Sequence, residues 1–446
     1  MRRLLYVTSN FLPAGGAAVL RALKTVKYLP DFGWRATVVT ADAPSDIHRD
    51  ETLEAPAGLE IVRVPSPLAF LRRRRGGGNN GAAGPRGVRA RLRAAIIREA
   101  LVPDSEAPWS LAAAHAIQRA IKGGRVDAVL STSPVPSNHV AVRLALGRHR
   151  GRRLPWLVDV RDPWIDARGI TGPNRSWTLL DRALERACLG SVDGFATVNE
   201  PLLELYLARY PQLATRPHAV VRNGFDPDDF EGEPAPLEGE LASLGSRFDL
   251  VFTGRFYGGR TPEQGLAEAL GELGRARPDF ARDARLFLVG PRDPVYEPDL
   301  SRAAPVPVVR HGAVAYRLSI ACQRRASLLV LLGGDFAAAT TLKVYEYLAA
   351  RRPIIAQATR GSELEKLLAG RPGVLFAPLE GGARALVPLL AEAYDAWSSG
   401  RLAPREDPGL DAFSRRTQTG MIADLLDEIV RAHHMPGDPS LASPVA

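Results

Sequence analysis

Sulfur is scarce in this chain. Its 446 residues include two cysteines and three methionines, and Cys188 and Cys322 lie far apart with no CxxC or Cys/His spacing around them. That excludes a disulfide framework, leaves no structural zinc motif and suits a reducing, cytoplasmic compartment. Long apolar runs are also missing. Nothing approaches the roughly 18 to 20 uninterrupted apolar residues of a spanning helix. The opening MRRLLYVTSNF has only a short apolar run, which alternates as a buried strand does, so no secretory signal is expected there. Any membrane contact is expected to be peripheral. The turn after the first apolar run has no GxGxxG, and no Walker GKS or GKT occurs in the chain, which weakens the ordinary dinucleotide and P-loop readings.

Acid is absent from residues 61 to 98, where Arg72, Arg73, Arg74, Arg75, Arg86, Arg89, Arg91 and Arg93 crowd together. The net charge of +9 lies wholly in the first part of the chain: residues 1–200 carry a balance of +12 and the rest −3. Segment 72–93 could meet an anionic membrane surface or an acidic acceptor, and it reads equally well as a solvated loop. Nucleic acid is not expected, because the patch lacks interleaved aromatics and no helix-turn-helix, zinc-finger or RNA-binding signature accompanies it.

What the chain has is alternation. Short apolar runs at 4–9, 36–41, 61–64, 128–133, 156–162, 195–199 and 219–223 form one series, and runs at 250–254, 286–290, 308–312, 328–332, 353–358 and 374–378 form a second. Amphipathic stretches separate them; Val19, Ala22, Leu23, Val26 and Leu29 fall on one face of a helix. Apolar strands alternating with helices predict an α/β fold with parallel sheets covered on both faces. The length calls for two such cores. The divisions expected are a Rossmann-like domain over 1–225, a linker rich in Pro, Gly and acid over 226–247, a second Rossmann-like domain over 248–410, and a helix with a disordered tail over 411–446. Two facing domains of this class would place ligands in an interdomain cleft at the carboxyl ends of their strands.

Several residues at those strand ends suit an anionic ligand. Gly15 and Gly16 follow the first strand and open a helix, where paired glycines let backbone amides approach an anion, though a tight turn needs them as readily. In the second series, Arg255 and Arg260 follow the first strand, while Thr340, Thr341 and Lys343 lead into a helix that carries Glu346. Small residues entering a helix, a lysine in its first turn and arginines on the neighbouring loop make a diphosphate cradle. The Glu346 carboxylate can accept hydrogen bonds from a ribose diol. The alternative is an i, i+3 surface pair of Lys343 and Glu346.

The pieces FLPAGGAAVLRALKTVKYLPDFGWRATVVTA, WLVDVRDPW, TVNEPLLELY, VVRNGFDPDDF, VFTGRFYGGRTPEQGLAEAL, HGAVAYRLSIACQRRASLLVLL and LKVYEYLAARRPIIA occur in that order between residue 4 and about 378. Together they resemble the group 1 glycosyltransferases of family GT4, which have the GT-B fold. The resemblance implies that Gly15 and Gly16 face the donor diphosphate, that Arg255 and Arg260 are the family's basic pair, and that Lys343 and Glu346 are its helix lysine and its ribose-binding glutamate. It also implies a metal-independent reaction with no cofactor beyond the nucleoside diphosphate sugar, so Asp226 and Asp228 are not expected to bind metal.

Two departures from the family pattern are visible. An acid is usual eight positions before Glu346, and here that position is Ala338, leaving Asp335 as a substitute. A histidine is usual after the fifth strand, and here Arg161 and Asp162 stand there, which makes them the candidates for the reaction centre. His139, near another strand end, could approach the nucleotide or acceptor, or simply pack. The resemblance thus implies a retaining transfer from a nucleoside diphosphate sugar to an acceptor hydroxyl, in polysaccharide, lipid-linked or cell-envelope glycan synthesis. A GT-B-fold sugar-nucleotide epimerase and a degenerate binding protein are the alternatives.

Overall fold

Each apolar run becomes a parallel strand, buried in the middle of its sheet and part-buried at the outer positions, because a strand covered by helices on both faces has no side that must meet water. The computed structural model describes residues 1–42, 49–66, 101–147, 154–165, 175–256, 262–292, 298–333, 341–402, 404 and 406–434. The basic segment 72–93, Arg260, Asp335, Ala338 and Thr340 lie outside these described residues. The chain divides into two units, residues 1–222 with 416–446, and residues 223–415.

Unit 1 contains β1 (Arg2–Val7), β2 (Trp34–Ala41), β3 (Glu60–Val64), β4 (Ala128–Thr132), β5 (Trp156–Val160), β6 (Gly194–Thr197) and β7 (His218–Val220). They form one parallel sheet in the order β3-β2-β1-β4-β5-β6-β7. Its described helices are α1 (Ala17–Tyr28), α2 (Ala107–Gly123), α3 (Ser137–Gly147), α4 (Arg175–Leu189) and α5 (Glu200–Arg209). The last helix, α12 (Arg415–His434), also belongs here beyond its first residue. On one face of the sheet the predicted stripe of α1, Val19, Ala22, Leu23 and Val26, packs in a core with Ile422, Leu425, Leu426 and Ile429 of α12. On the other, Trp109, Ile117, Val142, Trp156, Phe195 and Tyr206 share a second core.

Unit 2 contains β8 (Phe248–Thr253), β9 (Ala284–Val289), β10 (Val308–His311), β11 (Leu328–Leu332), β12 (Ile354–Ala358) and β13 (Val374–Pro378). They pair in the order β10-β9-β8-β11-β12-β13, again all parallel. The helices are α6 (Pro262–Ala276), α7 (Pro278–Asp283), α8 (Tyr316–Arg325), α9 (Leu342–Ala349), α10 (Glu363–Leu368) and α11 (Gly382–Ser398). The stretch 226–247, expected as a linker, is counted with unit 2, because Leu237, Leu241 and Leu244 reach down from its polar surface into that core. Both sheets reverse their strand order once, between β1 and β4 and between β8 and β11. In open α/β sheets ligands bind at such reversal points, beyond the carboxyl ends of the strands. No described helix is long and apolar enough to cross a membrane.

Candidate functional site

In unit 2 the site grows from the end of β8. Gly254, the next residue, has φ +113°, a conformation that disfavours any side chain. A Cβ built there would lie 2.5 Å from Lys343 Cε and 3.0 Å from its Nζ. The missing side chain is therefore what lets Lys343, in the first turn of α9, run its stem across the strand end. Its ammonium sits 4.1 Å from the centroid of Phe252, and Phe252 stacks on Phe256 with centroids 4.4 Å apart. Burial pushes Lys343 down to about 8, with Glu346 opposing the shift. At pH 7 the ammonium still holds its proton, and no carboxylate among the described residues forms an ion pair with it.

Thr341 caps α9 without a side-chain hydrogen bond, and its buried Oγ1 has no partner among the described residues. Arg255 follows Gly254 directly and is exposed. Glu346, one turn beyond Lys343, is 6% exposed. Burial raises its carboxyl to about 7, against hydrogen bonds from Gln323 and Tyr316 and the charge of Arg415. The helix is pinned to the strand by the Thr253 backbone N–H, which donates to the Tyr347 hydroxyl at 2.9 Å. Lys343, Thr341, Glu346 and Arg255 are thus gathered at one edge of the unit 2 sheet.

Gly254→Ala tests this packing. The methyl group and the positive φ together cost about 1–3 kcal/mol of backbone strain, and the flexible lysine stem must leave its place. Phosphate affinity should fall in Gly254→Ala by nearly as much as in Lys343→Ala, and the double variant should add little, which a double-mutant cycle of binding energies measures. Additive losses would mean that the glycine does not seat the lysine.

Unit 1 carries a second cluster. Gly16 caps α1 with φ +98° and no side-chain hydrogen bond, beside the buried Gly15. The first turn of α1 contains no acid, so its amides keep their positive end. Beyond β5, the Arg161 backbone N–H donates to Ser133 Oγ at 2.8 Å and its Nε donates to the Ser133 carbonyl. Burial and the neighbouring Arg21 hold this guanidinium below arginine's usual range. Asp162 is exposed. The turn is fixed by Trp164, whose backbone N–H donates to the Tyr206 hydroxyl at 3.0 Å and whose indole donates to Asp181. Tyr206 and Tyr210 in turn donate to the fully buried Glu185.

Beneath that turn lies a pair the sequence did not announce. Arg21 on α1 and Asp159 in β5 meet through two parallel hydrogen bonds of 2.9 and 2.8 Å, with side chains only 3% and 2% exposed. Thr132 Oγ1 donates to the same carboxylate at 2.7 Å, and Arg21 donates onward to the Val221 and Arg222 carbonyls. Burial alone would raise Asp159; Arg21, Arg161 and Thr132 outweigh it and hold the carboxyl below its ordinary value. The available signal was a lone acid inside the apolar run WLVDV and a lone arginine inside the apolar stretch of α1.

His139 packs in the interior of unit 1. It is 1% exposed, its Nδ1 lies 2.8 Å from Ser131 Oγ, and its ring sits against Trp164 with centroids 6.2 Å apart. Burial pushes it down to about 4, so it is neutral at pH 7. Asp226 caps the short turn Pro227–Asp229 by accepting from the Asp228 amide. Among the described residues no group of three or more His, Cys, Asp or Glu is arranged to hold a metal ion.

No protein-family model matches the chain, and no curated protein sequence does. Solved structures do. A UDP-forming α,α-trehalose-phosphate synthase from Burkholderia xenovorans, in complex with glucose-6-phosphate, is 15% identical over 97% of this chain and 100% of its own, with a TM-score of 0.58. WaaG, a glycosyltransferase involved in lipopolysaccharide biosynthesis, is 13% identical over 95% and 99%, with a TM-score of 0.54. A Listeria monocytogenes protein held to be a UDP-N-acetylglucosamine 2-epimerase is 12% identical over 98% and 98%, with a TM-score of 0.52. At these identities the likeness establishes the fold, which is the α/β, two-sheet GT-B architecture expected from the sequence.

Proposed function

We propose that the chain is a retaining glycosyltransferase that moves a sugar from a nucleoside diphosphate sugar to an acceptor hydroxyl, in polysaccharide, lipid-linked or cell-envelope glycan synthesis. The observation that supports this best is the Lys343 ammonium at the start of α9, without an ion-pair partner among the described residues and seated against Gly254 at the end of β8 with Glu346 one turn on. A diphosphate needs the cation and the helix amides, and a ribose diol needs the carboxylate. In the transfer the bond from the anomeric carbon to the phosphate oxygen breaks and a bond to the acceptor oxygen forms. The hydroxyl proton goes to the departing phosphate on the same face. The carbon–oxygen bond breaks ahead of that proton transfer, so negative charge grows on the diphosphate in the transition state, and Lys343, Arg255 and the amides of α9 stabilise it there. No protein nucleophile is needed.

Unit 2 is assigned the donor, and unit 1, with Arg161 and Asp162, the acceptor and the reacting hydroxyl. Asp162→Asn should lower turnover at saturating donor and leave affinity for nucleoside diphosphate within about twofold of the parent. A collapse of donor affinity with turnover preserved would move Asp162 to the donor.

Incubating the chain with UDP-, GDP-, ADP- and dTDP-sugars, with and without a panel of sugar and lipid-linked acceptors, tests the reading by NMR of the anomeric protons. Nucleoside diphosphate release that requires an acceptor, with the donor's anomeric configuration kept in the product, is the expected result. Inversion of a ring carbon in the nucleotide sugar without acceptor would make the protein an epimerase. Donor binding with neither outcome would make it a binding protein.

A further inference from the structure

On the reading that Glu346 faces the ribose of the nucleotide, we propose that Gln323 is the positioning residue that holds this carboxylate for ribose recognition. Gln323 lies in α8 and is completely buried. Its carboxamide nitrogen reaches Thr253 Oγ1, at the end of β8, over 3.1 Å, and Glu346 Oε2, on α9, over 3.4 Å. A third acceptor, Ser319 Oγ on its own helix, is 3.5 Å away. One amide group therefore joins three elements where they meet at the sheet edge that carries Lys343. Its carbonyl oxygen is buried with no hydrogen-bond partner among the described residues. An idle acceptor in the core is costly, and an apolar side chain of the same length would avoid that cost, so the nitrogen's contacts are what the position provides.

The surroundings of Glu346 show what those contacts do. Tyr316 donates a hydrogen bond from α8, Lys343 lies on the same helix, Arg415 favours the carboxylate and Asp229 opposes it. Tyr347, on the other side, is engaged by Thr253. Burial drives the carboxyl upward, and the Gln323 hydrogen bond is the first of the contacts that draw it back. Without that donor the carboxyl is driven further upward, and once protonated it loses acceptor capacity. A ribose diol brings two donors and is bound best by a carboxylate that is ionised and fixed in direction.

The test compares ribonucleotides with 2′-deoxynucleotides in the full chain. UDP, GDP and ADP are titrated calorimetrically beside dUDP, dGDP and dADP, with inorganic pyrophosphate as a probe of the phosphate cradle. For the base it binds, the parent should prefer the ribonucleotide by about tenfold or more, the worth of one hydrogen bond to a charged group. Gln323→Met and Gln323→Leu should narrow that preference to about twofold, leave pyrophosphate binding unchanged, and move the acid limb of ribonucleotide affinity to higher pH. Thr253→Val, which frees the carboxamide without removing it, should narrow the preference part of the way, and it decides the matter if the Gln323 variants do not fold. Equal weakening of pyrophosphate and both nucleotides would reveal a merely structural role and overturn the proposal. A full ribose preference in all three variants would overturn it while leaving the Glu346 reading intact, whereas a parent without ribose preference would overturn both.

Discussion

Lys343→Ala should bind nucleoside diphosphate about ten- to a hundredfold more weakly than the parent and bind the nucleoside alone as before. The lysine stem is held by the absent side chain of Gly254 and its ammonium by the face of Phe252, so the charge is fixed in place before any ligand arrives. A preset, partly desolvated cation meets a phosphate oxygen with little further ordering, which is why its removal costs more than removing a mobile surface lysine. Arg255→Ala should act in the same direction at the lower end of that range, since Arg255 is exposed and water screens it. In both variants turnover of the nucleotide sugar should drop further than diphosphate affinity, because the phosphate charge is larger in the transition state than in the bound donor. Glu346→Gln is the contrast: it should weaken nucleoside and nucleoside diphosphate by similar factors. Unchanged diphosphate affinity in folded Lys343→Ala would remove the cradle from α9.

The largest stability effect should come from the pair beneath the Arg161 turn. Arg21→Met leaves the Asp159 carboxylate buried with only Thr132 and more distant charge, and such a loss typically costs about 3–5 kcal/mol. The unfolding transition of unit 1 in urea should move accordingly. Arg21→Met combined with Asp159→Leu should recover much of the loss, because two apolar side chains need no partners. The sign with pH follows from the depressed folded value of Asp159: its contribution is full above the unfolded carboxylate range and disappears as pH falls through the lower folded one. Asp159→Asn should therefore lack part of the parent's acid instability. A double variant no more stable than Arg21→Met would mean that the pair's role is geometric, holding α1, β5 and the end of β7 together.

These two sites differ in how far the sequence announces them. Every strand of both sheets overlaps an apolar run visible in the sequence, though several begin one or two residues earlier, as β2 does at Trp34, because parallel strands covered on both faces are largely apolar. The inward stripe of α1 was equally plain, since its spacing alone fixes it. The destination of α12 was not: Ile422, Leu425, Leu426 and Ile429 give a helical period without naming the partner, and the structure seats them beside α1. Lys343 and Glu346 could be picked out because both their chemistry and their place at a strand end are local. Arg21 and Asp159 are 138 residues apart, and no local pattern shows that one buried charge answers another. Gln323 was silent for a related reason: a glutamine on an amphipathic helix reads as surface until the neighbouring helix and strand close over it. His139 showed the opposite hazard, a histidine at a strand end that burial holds neutral in the core.

The central claim is that the edge of the unit 2 sheet, built from Gly254, Lys343 and Glu346, holds a nucleoside diphosphate. The most direct measurement is a calorimetric titration of the full chain with UDP, GDP, ADP, CDP and dTDP, each beside its nucleoside. One base should saturate the chain at one site per molecule, with the diphosphate bound about tenfold or more tightly than the nucleoside. Failure of every diphosphate to bind, or diphosphate and nucleoside binding alike, would contradict it.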